Sequence, residues 1–375
     1  MDGGRAHGGD GVAGVRRGVA TTPMEVRREV IVRMAVLADE LGYEVFSVAE
    51  GWGLDSTVLL AEIATRTRRI KLTSGVLSVW GRTPGTIAMA AATLHQISGG
   101  RFVLGLGASS RRLVEGWHAM PFARPAERLG RVASEVRGLL AGGRARPAVR
   151  EAALHEAVRE AAGSGARVAA RGLRLGQPAV ADLPIWIAAT GEQTIRVAAE
   201  QADGWSSIYL RRDRCRELAA EIRHRRTVAA LRTTEDTGTD ADAQAAPRQP
   251  RPLTVAAGPF TVVDTDVDSA RVVAAACTAF YLAAMGEVYP RLVSSQGLEA
   301  EVDLVRAANS AANRGLGVVP DAAQVLLDEF TAYGTAADVR EQLKPWDAAV
   351  DVTMVALPPG LPWPQIEATL RAAAP

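Results

Sequence analysis

Read as a pattern of apolar and polar positions, the chain from about residue 17 to 141 alternates short apolar runs with longer amphipathic ones, the rhythm of helices covering a parallel sheet. The pattern predicts a short first strand over 17–20, a helix over 24–41, and a second strand over 44–49, with Gly42 ending the helix between them. It then predicts a helix over 55–66, a strand over 70–76, a helix over 83–97 and a strand over 101–106. After a gap the rhythm resumes with strands over 184–188, 204–208 and 253–260 and helices over 192–201 and 213–230. A long helical stretch over 267–330 and a last strand over 351–356 complete the series. An open doubly wound sheet shares this local rhythm, but eight strands favour closure into one (β/α)8 TIM barrel over two domains.

Three segments stand outside the rhythm. Residues 1–16, rich in Gly and Arg, are expected to be a disordered lead-in, without the apolar core of a secretory signal. Residues 142–180, dominated by Ala, Arg and Gly with a helical pattern over 147–162, predict an insertion over one end of the barrel. Residues 233–252 are polar and hold almost no large apolar side chain, so a flexible, disordered loop is expected there. The longest apolar run, 272–285, is short for a bilayer span and predicts a buried helix.

Charge narrows the function classes. With 43 basic against 42 acidic residues the net charge is +1, so no long-range field would gather nucleic acid or an acidic membrane. Cys215 and Cys277 lie far apart with no metal-ligand or CxxC spacing, which argues against a disulfide framework, a zinc site or a thiol nucleophile and suits a cytoplasmic protein. The five histidines include no pair at metal-ligand spacing and no H-E-x-x-H, so no metal is expected. No G-x-S-x-G elbow supports a hydrolase.

Barrel enzymes build their sites from the loops that leave the C-terminal strand ends, and four such loops are unusual. After the second strand, Ala49-Glu50-Gly51-Trp52-Gly53 brings a carboxylate and an indole together; Glu50 as a helix cap and Trp52 as rim packing is the plainer alternative. Ser74-Gly75-Val76 interrupts the third strand's end with a glycine, a mark of a bulge, a close approach or a simple turn. Gly105-Leu106-Gly107-Ala108-Ser109-Ser110 resembles a phosphate loop, yet Ser110 stands where GxGxxG needs its third glycine. Ala189-Thr190-Gly191-Glu192-Gln193 runs straight into a helix, which gives either an anion seat or an ordinary capped start. His118, near the fourth strand's loop, is either an acid or base or a packing residue.

Taken together, the motifs resemble the luciferase-like monooxygenase superfamily. The resemblance rests on Gly42 to Gly53, on Thr67-Arg68-Arg69-Ile70-Lys71-Leu72, on Ser74-Gly75-Val76 and above all on Ala91 to Gly107. Trp80-Gly81-Arg82-Thr83-Pro84 and Glu115-Gly116-Trp117-His118 are similar to the branch that uses the deazaflavin coenzyme F420 and is related to methylenetetrahydromethanopterin reductase. The resemblance implies hydride transfer between F420 and a small organic substrate. It implies that Ser74, Gly75 and Val76 back the ring, with a cis peptide at Gly75–Val76, and that Gly107, Ala108, Ser109 and Ser110 line it. Thr190, Gly191, Glu192 and Gln193 would hold the coenzyme phosphate. Glu50 is the first candidate for proton transfer, Trp52 would shape the ring face, and His118 is a more distant candidate. Many relatives carry His where this chain has Gly51, some have an acid near the position of Ser110, and the 142–180 region replaces a segment that usually shapes the pocket. Two alternatives stay open: an FMN-dependent monooxygenase, and a noncatalytic member acting as a binding subunit. A homodimer is common among such relatives.

Overall fold

The computed structural model describes residues 14–145, 172–235, 251–310 and 317–375. Its strands in chain order are β1 (Arg17–Ala20), β2 (Val45–Ser47), β3 (Lys71–Thr73), β4 (Leu77–Ser78), β5 (Phe102–Gly107), β6 (Ile185–Ala188), β7 (Gly204–Ser207), β8 (Thr254–Ala257), β9 (Phe260–Val263), β10 (Thr331–Gly334) and β11 (Val352–Ala356). Eight of them form a closed parallel ring in the order β1-β2-β3-β5-β6-β7-β8-β11, with Gly18 of β1 opposite Met354 of β11. These eight are the strands the apolar pattern predicts, and helices surround the ring, so the chain is a (β/α)8 barrel.

The two-residue alternation of strand side chains divides the barrel into an inner and an outer core. Val45, Val103, Trp186, Val352 and Met354 fill the inside, while their neighbours Phe46, Leu104, Ile187 and Val355 pack outward against the helices. Gly18 makes the filling possible, since a Cβ there would lie 2.5 Å from Val45 Cγ1 and 2.6 Å from Met354 Sδ.

Three sequence expectations are corrected. The predicted strand over 253–260 is two strands, β8 and β9, separated at Gly258-Pro259. Proline has no N–H for the ladder, and a Cβ at Gly258 would meet Met354 O at 2.1 Å, so the chain bends where two backbones touch. The long helix expected over 267–330 is a series of shorter pieces: Val267–Ala279, a π-turn at Phe280–Ala284, Val288–Val293, a second π-turn at Ser294–Leu298, Glu299–Ala308 and, after a 3-10 turn, Val325–Phe330. Gly286 (φ +99°) and Gly297 (φ +82°) break it in the left-handed region, which helical residues cannot occupy. The sequence reading also lacks β10, which pairs with β9, and the helix Ala336–Asp347 behind it.

The apolar run over 272–285 belongs to the helix Val267–Ala279 and the π-turn after it; Ala270, Ala274, Ala275, Cys277, Thr278 and Ala279 are buried. The helix predicted over 213–230 extends over Arg212–Glu235. The lead-in up to residue 13, the core of the insertion at 146–171 and most of the loop at 236–250 lie outside the described residues.

Candidate active site

In a parallel barrel all strands point the same way, so the loops after β2, β3, β5 and β6 leave one end, and these four strands are consecutive in the ring. The loops touch one another. A Cβ on Gly75 would lie 2.9 Å from Ala49 Cα and Val48 O, and one on Gly107 would lie 2.2 Å from Val76 Cγ1 and 3.7 Å from Ala188 Cβ. Gly75, Val76, Ala108, Ser109, Ser110 and Thr190 are half-buried, so this seam of close backbones meets solvent at the barrel mouth.

After β2, Glu50 is held on both oxygens. Arg82 Nη1 donates to Oε1 at 2.5 Å and Arg82 Nη2 to Oε2 at 3.0 Å, while Ser56 donates to Oε2 through its backbone N–H (3.1 Å) and its hydroxyl (2.9 Å). Arg82 Nη2 also donates to Asp55 Oδ2 at 2.6 Å, and Asp55 caps the helix Ser56–Arg66 by accepting from Thr57 N and Val58 N. One guanidinium thus ties the loop after β2 to the segment after β4. Trp52 lies beyond this knot and is 45% exposed, too open to be core. Gly51 sits against Pro23, where a Cβ would be 2.8 Å from Pro23 Cβ, which leaves no space for the histidine of relatives.

The bulge after β3 is made by Gly75 at φ +46°. Among the described residues every peptide bond is trans, so the cis bond expected at Gly75–Val76 is corrected: glycine's left-handed backbone turns the chain there. Ser74 is fully buried; its hydroxyl donates to Gly105 O (3.0 Å) and accepts from Gly105 N (2.9 Å), stitching β3 to β5. It builds the wall and exposes no side-chain surface to a ligand.

After β5, Trp80 fixes the backbone by donating from Nε1 to Ala108 O at 2.9 Å, its ring packed by Phe122 and by the Arg128 guanidinium 4.3 Å from the ring centre. Ser109 then takes φ +60°, and Ser110 caps the short helix Arg111–Gly116 by accepting from Leu113 N. His118 is half-buried and lies on Gly81, where a Cβ would be 2.6 Å from its Cε1.

After β6, Trp205 Nε1 donates to Ala189 O at 2.8 Å and holds the loop in place. The helix Glu192–Gln201 begins at Gly191 with no side-chain cap, and Gly191, Glu192 and Gln193 are exposed. Its first-turn N–H groups face solvent at the barrel mouth, the arrangement that favours an anion.

A cleft of about 390 Å³ adjoins this seam. Trp52 lines one side, Ser110, Arg112, Leu113, Gly116 and Trp117 another, and Phe280 and Ala284 of the first π-turn with Met285 just after it a third. Sequence reasoning selected Trp52 and Ser110 and missed the rest. Arg82 stood in a quoted motif without a role, Arg112 was one arginine among many, and Phe280 to Met285 read as part of an apolar run and of the family likeness, without a place in the site.

A closed parallel barrel whose C-terminal loops converge on a glycine-lined mouth defines a (β/α)8 enzyme scaffold, and the chain is matched over residues 11–351 by the family model described as luciferase-like monooxygenase. The chain belongs to that family of oxidoreductases. It is 30% identical over 338 residues to a Mycobacterium tuberculosis protein named as a coenzyme F420-dependent oxidoreductase, covering 87% of this chain and 90% of that one. Its fold matches the coenzyme F420-dependent tetrahydromethanopterin reductase of Methanopyrus kandleri with a TM-score of 0.70 at 18% identity, over 96% and 98% of the two chains. It also matches the oxygenating constituent of 3,6-diketocamphane monooxygenase from Pseudomonas putida, solved in complex with FMN, with a TM-score of 0.62 at 14% identity, over 96% and 97%.

Proposed function

We propose that this chain is a coenzyme F420-dependent oxidoreductase that moves a hydride between the deazaflavin and a small organic substrate, either a C=C or C=N bond or an alcohol/carbonyl pair. The name of the 30%-identical relative supports the coenzyme. The observation that carries the reading is the pairing of a glycine-lined mouth with an uncapped helix start on the next strand's loop.

The residues fit such a group. Gly75, Val76 and Ala108 to Ser110 offer a half-buried backbone surface for a flat ring, and the missing Cβ at Gly75 and Gly107 lets the loops beneath it pack together. Thr190 to Gln193 offer N–H groups and a hydroxyl to a phosphate. When bound, the coenzyme gives or takes two electrons as a hydride, and the substrate atom that gains negative charge needs a proton from elsewhere. Both carboxylate oxygens of Glu50 are already engaged by Arg82 and Ser56, so Glu50 acts here by holding Arg82 and the β2 loop in position. Of the sequence candidates, His118 remains for the proton; its half-buried ring lies against Gly81, next to Arg82. Trp52 borders the substrate side.

The Gly191→Asp variant tests the phosphate seat, because its two expected effects have opposite signs. Gly191 has φ −94°, open to any residue, so an aspartate caps the helix and stabilises the fold by about a few tenths of a kcal/mol. The same carboxylate competes with the phosphate and weakens F420 binding by about tenfold or more. Unchanged F420 affinity in a stabilised variant would remove the phosphate from this helix. A second reading, an FMN-dependent monooxygenase, is favoured by the fold likeness to the FMN complex; FMN also carries a phosphate, so the choice between the two rests on direct titration.

A further inference from the structure

Resting on the reading above, we propose that the cleft beside the coenzyme seam takes a flat, fused-ring substrate of two or three rings that carries one anionic group, a carboxylate or its equivalent, and that Arg112 is the residue that selects it. The cleft is lined almost wholly by apolar side chains, with the indoles of Trp52 and Trp117 standing 45% and 62% exposed at its edge. Two large aromatic surfaces left open around one concavity mark a binding surface for an apolar body. Its volume of about 390 Å³ is at the small end for ligand pockets and matches a bicyclic or tricyclic molecule.

Apart from the indole N–H groups of Trp52 and Trp117, the lining side chains carry polar groups only at Ser110 and Arg112. The Ser110 hydroxyl is already engaged by Leu113 N, as the cap of the short helix. Arg112 uses one N–H, from Nη1 to Ala284 O at 2.7 Å, and among the described residues it has no carboxylate within 4.0 Å. By contrast its neighbour Arg111 is paired with Glu115. An unpaired guanidinium at the edge of an apolar cleft recognises a single anion, with its remaining N–H groups free for a two-point contact. The same scarcity of polar groups rules against sugars, whose hydroxyls would be desolvated without partners.

The test measures equilibrium binding of 2-naphthoate, its methyl ester and glucose 6-phosphate to the full chain, with F420 affinity measured in parallel on every variant. The wild type is expected to bind the naphthoate about tenfold more tightly than the ester, as a charge-assisted pair requires. Arg112→Met should abolish that preference, Arg112→Lys should restore part of it, and Trp117→Ala should weaken acid and ester alike. None of the three should move F420 affinity more than about twofold, since these side chains lie outside the phosphate seat. Equal affinity for acid and ester in the wild type, a preference that survives Arg112→Met, or tighter binding of the sugar phosphate overturns the proposal while F420 binding stands. Absence of F420 binding itself would instead overturn the coenzyme reading.

Discussion

Single atoms decide the shape of the barrel mouth. A methyl group added at Gly107 would lie 2.2 Å from Val76 Cγ1, so Gly107→Ala should destabilise the fold by about 1–3 kcal/mol and weaken coenzyme binding. Because the obstacle is a side chain and not backbone, Val76→Ala in the same molecule should recover at least half of the lost stability, which a double-mutant cycle in urea would show. Arg82 works at the same scale through charge. Its side chain is 16% exposed and that of Glu50 10%, and Arg82→Met leaves Glu50 and Asp55 together without their cation. Thermal or urea unfolding should register a loss of roughly 3 kcal/mol, larger than for Glu50→Gln, which keeps the shape and the Ser56 contacts. Glycines 75 and 107 stood out in the sequence, but Arg82's task did not. Pairing across 27 and 32 residues with Asp55 and Glu50 is a product of barrel closure, which no local pattern encodes.

At the scale of an element, the helix Ser56–Arg66 is fastened to the site through its own cap. Burial works to raise the Asp55 carboxyl, but the hydrogen bonds from the Thr57 hydroxyl and Val58 N–H and the nearby Arg82 charge outweigh it and hold it below the usual carboxylate range. A depressed folded value means that the stabilisation is complete above the unfolded value and is lost as pH falls through the folded one. The wild type should therefore exceed Asp55→Asn in melting temperature near neutrality, and the two curves should converge as the pH falls below about 4. Elements differ in how far the sequence reveals them. Strands β2, β5 and β6 were readable because each is a short apolar run between turn residues. The 267–330 region was not, because the apolar run carries through the first π-turn and its breaks are marked only by scattered turn residues, Gly286, Gly297, Gly317 and Pro320. For the helix Ala336–Asp347 the signal was present: Thr335 and Asp338 form a reciprocal capping box.

Over the whole molecule, strand count and parallel order were legible, since eight apolar runs separated by helical patterns leave few alternatives to closure. The third wall of the cleft was not legible. Phe280, Ala284 and Met285 come from the far side of the chain and meet Trp52 and Trp117 only in the folded barrel. The thiols report on the same global packing. Burial pushes Cys215 up to about 12 and raises Cys277 as well, so neither should react with an aromatic disulfide reagent at neutral pH until the fold opens. Both should then react together along the unfolding curve of the barrel, whereas early modification of one alone would contradict its burial.

The proposed function requires the seam around positions 75, 107 and 191 to take a phosphorylated deazaflavin. Parallel equilibrium titrations of the purified chain with F420 and with FMN test it most directly. Saturable, one-to-one F420 binding at least about tenfold tighter than FMN binding is expected; tight FMN binding with no F420 binding would overturn the F420 reading.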